Sequence, residues 1–215
     1  MRHVLIVSLV AGAFFVQAPL FAGASAYRVL DVSGQAELVE SISKRSRPLK
    51  ARDEIPAGSI VQTGEKARVN LASDEHLESL LTIGPDSSVT FLNEAPMRLS
   101  LDEGSLFVLK ETQRSLSRDK QFLTELRVLT REFLVSVREG GYVLEASSDK
   151  VVLKAFSEAV TVYPKAGGAY VQVPTTVEEG FRYTSAGLKR LTFPDYEIWQ
   201  EWYKKNNEKK DRFAR

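Results

Sequence analysis

Apolar residues alternate with polar ones from Tyr27 to about Thr192, and a period of two confines that span to half-buried β-strands. Val69 and Leu71 alternate with Arg68 and Asn70, Val89 and Phe91 with Ser88 and Thr90, and Leu99 and Leu101 with Arg98 and Ser100. Phe133, Val135 and Val137 alternate around Ser136, and Val151, Leu153 and Ala155 around Lys154. Val160 with Val162 and Val171 with Val173 close the series. Turn-forming clusters separate the runs: Ser33-Gly34, Pro56-Ala57-Gly58, Thr63-Gly64-Glu65, Gly84-Pro85-Asp86, Asp102-Glu103-Gly104, Gly140-Gly141 and Gly167-Gly168. No stretch here has helical periodicity, so the body is expected to be all-β.

Gly64, Gly84 and Gly104 lie 20 residues apart, with Val69 and Leu71, then Val89 and Phe91, at matching offsets. The third unit breaks this register, because Leu106 to Leu109 is a continuous apolar run. A quasi-repeat of this length predicts a solenoid-like or roll-like stack of short antiparallel strands. A plain sandwich, whose strands return at similar intervals, stays open. The three glycines are read as structural turn residues at positive φ.

The first 26 residues have a different pattern. Met1-Arg2-His3 is a short basic start, Val4 to Val16 is apolar apart from Ser8 and Gly12, and Ala24-Ser25-Ala26 forms an A-x-A cleavage site. That is the pattern of a signal peptide over 1–26, cleaved before Tyr27. As an uncleaved anchor it would be short: Val4 to Phe21 gives 18 residues, broken by Gln17 and Pro19. The expected location is periplasmic or secreted, with no transmembrane helix after cleavage. Removing 1–26 takes away Arg2 and leaves 28 Lys and Arg against 28 Asp and Glu. A neutral chain lacks the field of phosphate-directed cations that nucleic-acid binding needs. Cysteine is absent and His76 is the one histidine left, which excludes His/Cys zinc sites and thiol chemistry. No cofactor is expected.

Two charged stretches, Ser41 to Asp53 and Thr112 to Glu125, read as exposed excursions from the β body over 27–192. The segment 193–215 is read as a short C-terminal helix and basic tail. Phe193-Pro194-Asp195 is a helix entry signal, and Tyr196, Trp199, Trp202 and Tyr203 then recur at helical spacing. From Lys204 to Arg215 the local charge is +4. Either the aromatic face packs on the sheet, or Trp199, Trp202 and Tyr203 form a partner-binding or membrane-surface helix.

Catalytic constellations are hard to assemble. Serine hydrolysis needs a base held on the nucleophile, and no G-x-S-x-G elbow is present. S-x-x-K occurs at Ser41 to Lys44 and at Ser147 to Lys150, in neither case with a K-T-G or S-D-N partner. Asp74-Glu75-His76-Leu77-Glu78 lacks both calcium-loop spacing and a second histidine for zinc. Asp102 and Glu103 are adjacent and should diverge, unlike a glycosidase pair. No G-x-G-x-x-G or P-loop is found. The expectation is a protein that is not an enzyme.

Several segments together resemble the FecR domain family. Arg47 to Gly64 is similar to its opening "pL…gd.i..Gs.i.Tg". Ala67 to Leu71 and Leu80 to Val89 resemble its "srv.l" and "l.lgp.s.v" strands. Leu99 to Val108 resembles "l.l..G.v.v", Val128 to Arg138 "v.T…v.vrGT", and Val177 to Gly180 the closing "v..Ge". The resemblance spans about residues 29 to 185. It departs at Asp74 to Ser79, where the family has Asp-Gly, and at Glu139-Gly140, where it has Gly-Thr. The resemblance implies the extracytoplasmic module of that family: an all-β, solenoid-like, non-catalytic domain of the bacterial cell envelope. Its partner would be an envelope protein or a cell-wall polymer. The alternative is a cell-wall-active hydrolase of peptidoglycan or glycan.

Overall fold

The structure is a computed structural model. It describes residues 27–40, 42–73, 79–93, 98–110, 125–156, 160–166, 169–170, 173–174, 179–184 and 187–192, and the single positions 197, 201, 204 and 205. In chain order the strands are β1 (Tyr27–Ser33), β2 (Ala36–Glu40), β3 (Ser46–Pro48), β4 (Glu54–Ile55), β5 (Ser59–Thr63) and β6 (Arg68–Ser73). Then come β7 (Ser79–Ile83), β8 (Ser88–Asn93), β9 (Arg98–Lys110), β10 (Leu126–Leu129), β11 (Phe133–Val137) and β12 (Gly140–Ala146). The last are β13 (Lys150–Ala155), β14 (Val160–Ala166), β15 (Ala169–Tyr170), β16 (Val173–Pro174), β17 (Glu179–Thr184) and β18 (Gly187–Thr192). The all-β expectation holds: the fold is mostly antiparallel sheet, curled into a half-barrel.

Two faces emerge from the pairing. The first sheet runs β4-β1-β6-β7-β9-β12-β13-β17-β18. The second runs β3-β2-β5-β8-β9-β10-β11-β14-β16. Apart from the short strands at one edge, both grow in chain order, because successive strands or hairpins go to opposite sheets. The 13-residue β9 belongs to both. Its first half pairs with β8 and its second half with β7, with Gly104 at φ 93° where it changes sheet.

Alternation points one row of each strand into a common core. Val29, Leu71, Leu81, Val108, Tyr142 and Ala155 lie side by side on the first sheet. Leu38, Val61, Val89 and Leu101 do so on the second. All are buried in one cluster. Tyr27 packs edge-on against Phe91, their ring centroids 5.3 Å apart, so the core begins at the first described residue.

Three sequence expectations need correction. Asp102-Glu103-Gly104 is not a turn but the mid-strand bend of β9. Gly104 has positive φ, whereas Gly64 and Gly84 do not; a Cβ on Gly84 would instead fall 2.0 Å from Ser105 Oγ. Backbone atoms there lie at ordinary contact distance, so a side chain at Gly84 would displace only the Ser105 hydroxyl. The stretch ending at Asp53 is exposed as expected over 42–48 and 50–52, but it is tied to the sheets and is not a free excursion. It contains β3, buries Leu49, and ties back through Val29 N to Asp53 O at 2.8 Å. Glu125, at the end of the second excursion, is buried; residues 111–124 lie outside the described residues.

Candidate functional site

The turns between sheets in the first half use up their polar groups. Thr63 Oγ1 donates to Gly84 O at 2.6 Å and accepts from Ser87 N at 2.9 Å. Ser87 Oγ donates to Pro85 O and accepts from Ser105 N, each at 2.9 Å. Backbone bonds Gly64 N to Gln35 O and Gly84 N to Ser105 O, both 2.9 Å, complete a stack of three turns and the β9 bend. Thr63 and Ser87 are buried, so each hydroxyl satisfies backbone groups that water cannot reach. A second polar group lies on the outer side of the first sheet. Asn70 Nδ2 donates to both Asp31 oxygens at 2.9 Å, and Thr82 Oγ1 donates to Asn70 Oδ1 at 2.6 Å.

At the same end of the second half the molecule is open. Arg131 and Glu132, at the β10–β11 hairpin of the second sheet, face Ser147 to Val151, at the β12–β13 hairpin of the first. With Thr184 they line a cleft of about 290 Å³. An Arg131 guanidinium N–H donates to Ser148 O, joining the two tips. Thr130 holds its turn through Phe133 N to Thr130 Oγ1 at 2.8 Å. Ser147 Oγ donates to Asp149 Oδ1 at 2.7 Å, and that bond, with a backbone bond beside it, holds the Asp149 carboxyl below its ordinary range. The lining therefore offers two cations, two carboxylates and hydroxyl groups in a shallow site.

This geometry bears on the sequence candidates. The Ser147 to Lys150 match is a hairpin turn whose serine hydroxyl is engaged by Asp149, so no lysine–serine nucleophile is assembled there. Asp102 and Glu103 are exposed, and Ser100 Oγ donates to Asp102 at 3.0 Å. Trp199, Trp202 and Tyr203, Ser41, and the string from Asp74 to Glu78 lie outside the described residues. Of the expected C-terminal helix, Glu197, Glu201, Lys204 and Lys205 are described; each is exposed with helical backbone, and four single positions do not delimit a helix. Among the described residues no three His, Asp or Glu side chains gather as a metal site would require, and no helix is long and apolar enough to cross a membrane. Sequence reading missed Arg131, Glu132 and Asp149. The available signal was only that Thr130-Arg131-Glu132 and Ser147-Ser148-Asp149 both read as hairpin turns.

No family model matches the sequence, and no curated protein matches it. Two solved structures of a candidate anti-sigma factor from Parabacteroides distasonis are similar to this chain over part of its length. Their TM-scores are 0.48 and 0.47 at 9% and 10% identity, over 62% of this chain and 59% of theirs. The matched region thus spans about three fifths of those proteins, and a likeness of that degree carries no argument about activity.

Proposed function

We propose that this protein is an exported, FecR-like, non-catalytic binding or scaffolding module of the bacterial cell envelope, which recognises a protein or an envelope polymer. The observation that carries the reading is how its polar groups are employed. Thr63, Ser87 and Asn70 are committed to holding the frame, and the one carboxylate that Ser147 meets, Asp149, is held below its ordinary pKa range and is a weak proton acceptor, so the cleft offers recognition groups and not an activated nucleophile. Export is supported by the leader pattern of residues 1–26.

The test is incubation of purified 27–215 with isolated peptidoglycan and, in parallel, photo-crosslinking in intact cells from a probe placed at Arg131. The expected result is capture of one envelope component, weakened by Arg131→Ala with Lys150→Ala, and no release of soluble fragments. Fragment release abolished by Asp149→Asn or Ser147→Ala would establish the hydrolase instead.

A further inference from the structure

The outer side of the first sheet should face solvent, yet it carries a second apolar cluster. Leu80, Phe107, Leu109 and Val143 point away from the core and are between 1 and 4% exposed, with Leu30 and Phe156 packed beside them. Leu80 pairs across with Leu109, and Phe107 with Val143, so the four form a compact patch on β7, β9 and β12. Phe107 stacks on Phe156 with centroids 5.8 Å apart. Neighbours on this side are buried too, Asn70, Ala72, Thr82 and Val152 among them. Strand side chains cannot hide one another to this degree from one layer; something is laid over them. Phe107, Lys154 and Phe156 each engage a further partner beyond the contacts just given.

We propose that the cover is this chain's own C-terminal segment, 194–205, seated through Ile198, Trp199, Trp202 and Tyr203. Three observations favour it. The chain leaves the first sheet at Thr192, which pairs with Glu179 at the end of the sheet where Phe156 and Leu109 lie. From β18 to β9 is four strand spacings, ~19 Å, and twelve helical residues span ~18 Å, so a helix laid across the sheet reaches the patch. Glu197, Glu201, Lys204 and Lys205 are exposed with helical backbone and fall at i, i+4, i+7 and i+8, and in the sequence Trp199, Trp202 and Tyr203 fall on the opposite side of the same helical spacing. The segment 111–124 is the weaker occupant. It must return to the second sheet at Leu126, and it brings Leu116, Phe122 and Leu123 among many charges. On this assignment the aromatic residues close the fold, and partner recognition falls to other surfaces.

Trp199 and Trp202 are the protein's two tryptophans, so intrinsic fluorescence reports on this segment alone. In folded 27–215 the emission should be blue-shifted, and acrylamide should quench it several-fold less than in urea. Trp199→Ala with Trp202→Ala should leave the far-ultraviolet β signal intact and raise binding of an apolar dye several-fold. Phe107→Leu, a conservative change in the seat, should shift the emission to the red and increase quenching. Water-exposed tryptophans in the folded chain would overturn the proposal, as would a folded Phe107→Leu variant with unaltered emission. So would unchanged dye binding in the double variant, which would leave the cover to 111–124.

Discussion

The two halves of the chain build the same pair of sheets but connect them at opposite ends. Over 27–110 the chain crosses between sheets at 33–36, 63–68, 83–88 and within β9, all at one end, and only the strap through β3 and β4 crosses elsewhere, between 48 and 59. Over 125–192 that end carries hairpins instead, at 129–133, 146–150 and 184–187. Crossings there fall at the other end, between Val137 and Gly140 and between Ala155 and Val160. The exchange happens after β9, and it explains why β10 runs parallel to the first half of β9. The consequence is chemical. Crossing turns lie against one another and are latched by buried hydroxyls, whereas the hairpin tips of the facing sheets meet through the Arg131–Ser148 bond and line the cleft between them. One half is closed by its connections and the other is opened by them.

If close turn packing distinguishes the first half, Gly104 should be its most sensitive position. At Gly104, φ is 93° and a Cβ would lie 2.4 Å from Ser87 Cα. At Gly58, φ is 81° with nothing within 4 Å. Gly104→Ala should therefore cost about 3 kcal/mol or more, backbone strain plus displaced structure, and Gly58→Ala about 1 kcal/mol from strain alone. Urea unfolding of both variants decides this. Equal costs would mean that the stack adds nothing.

Tyr27 belongs to the first half and Tyr142 to the second, and both are fully buried in one core. Burial pushes both hydroxyls well above their ordinary range, and the charge of Tyr27 raises Tyr142 further. A raised folded pKa means that the native state keeps protons the unfolded chain releases. Stability is thus complete below about pH 10 and is lost above it, by about 1.4 kcal/mol per pH unit for each tyrosine. Alkaline melting should be a single transition, flattened by either Tyr27→Phe or Tyr142→Phe. Two transitions, each responding to one variant, would show that the halves unfold separately.

The latch hydroxyls should follow. Thr63→Val strips partners from Gly84 O and Ser87 N in a buried turn, so a loss of about 2 kcal/mol is expected. Ser147→Ala removes a bond exposed at the hairpin tip and should stay within about 0.5 kcal/mol. Thermal melts of the pair would reverse the contrast between the halves if Ser147 proved the more costly.

Strand positions were legible in the sequence because burial on one side writes an alternation, as at Val69 and Leu71. The place where the alternation failed was informative for the same reason. Leu106 to Leu109 is continuously apolar because Leu106 and Val108 enter the core while Phe107 and Leu109 enter the outer cluster. Glycine was less readable. The same residue type serves a positive φ and a close backbone approach at Gly104 but only a displaceable hydroxyl contact at Gly84, and the sequence does not mark which. The cleft left almost no trace, since Arg131, Asp149 and Thr184 meet only through pairing across both sheets.

The smallest expected effect tests whether the strap before β4 belongs to the closed half. Asp53 accepts from Arg47 Nη1 at 2.6 Å and from Lys50 N at 2.9 Å. Desolvation raises its pKa, but the Arg47 and Lys50 hydrogen bonds and their charges prevail and hold it below the ordinary range. A depressed folded pKa means that the unfolded chain binds the proton first as pH falls. The stabilisation is therefore present above about pH 4 and disappears as the pH drops through the lower folded value. Arg47 is half in water, so screening keeps the contribution below about 1 kcal/mol. Asp53→Asn should lower the melting temperature slightly at pH 7 and leave it unchanged near pH 2. An equal loss at both pH values would mean that Asp53 acts by packing the strap and not by its charge.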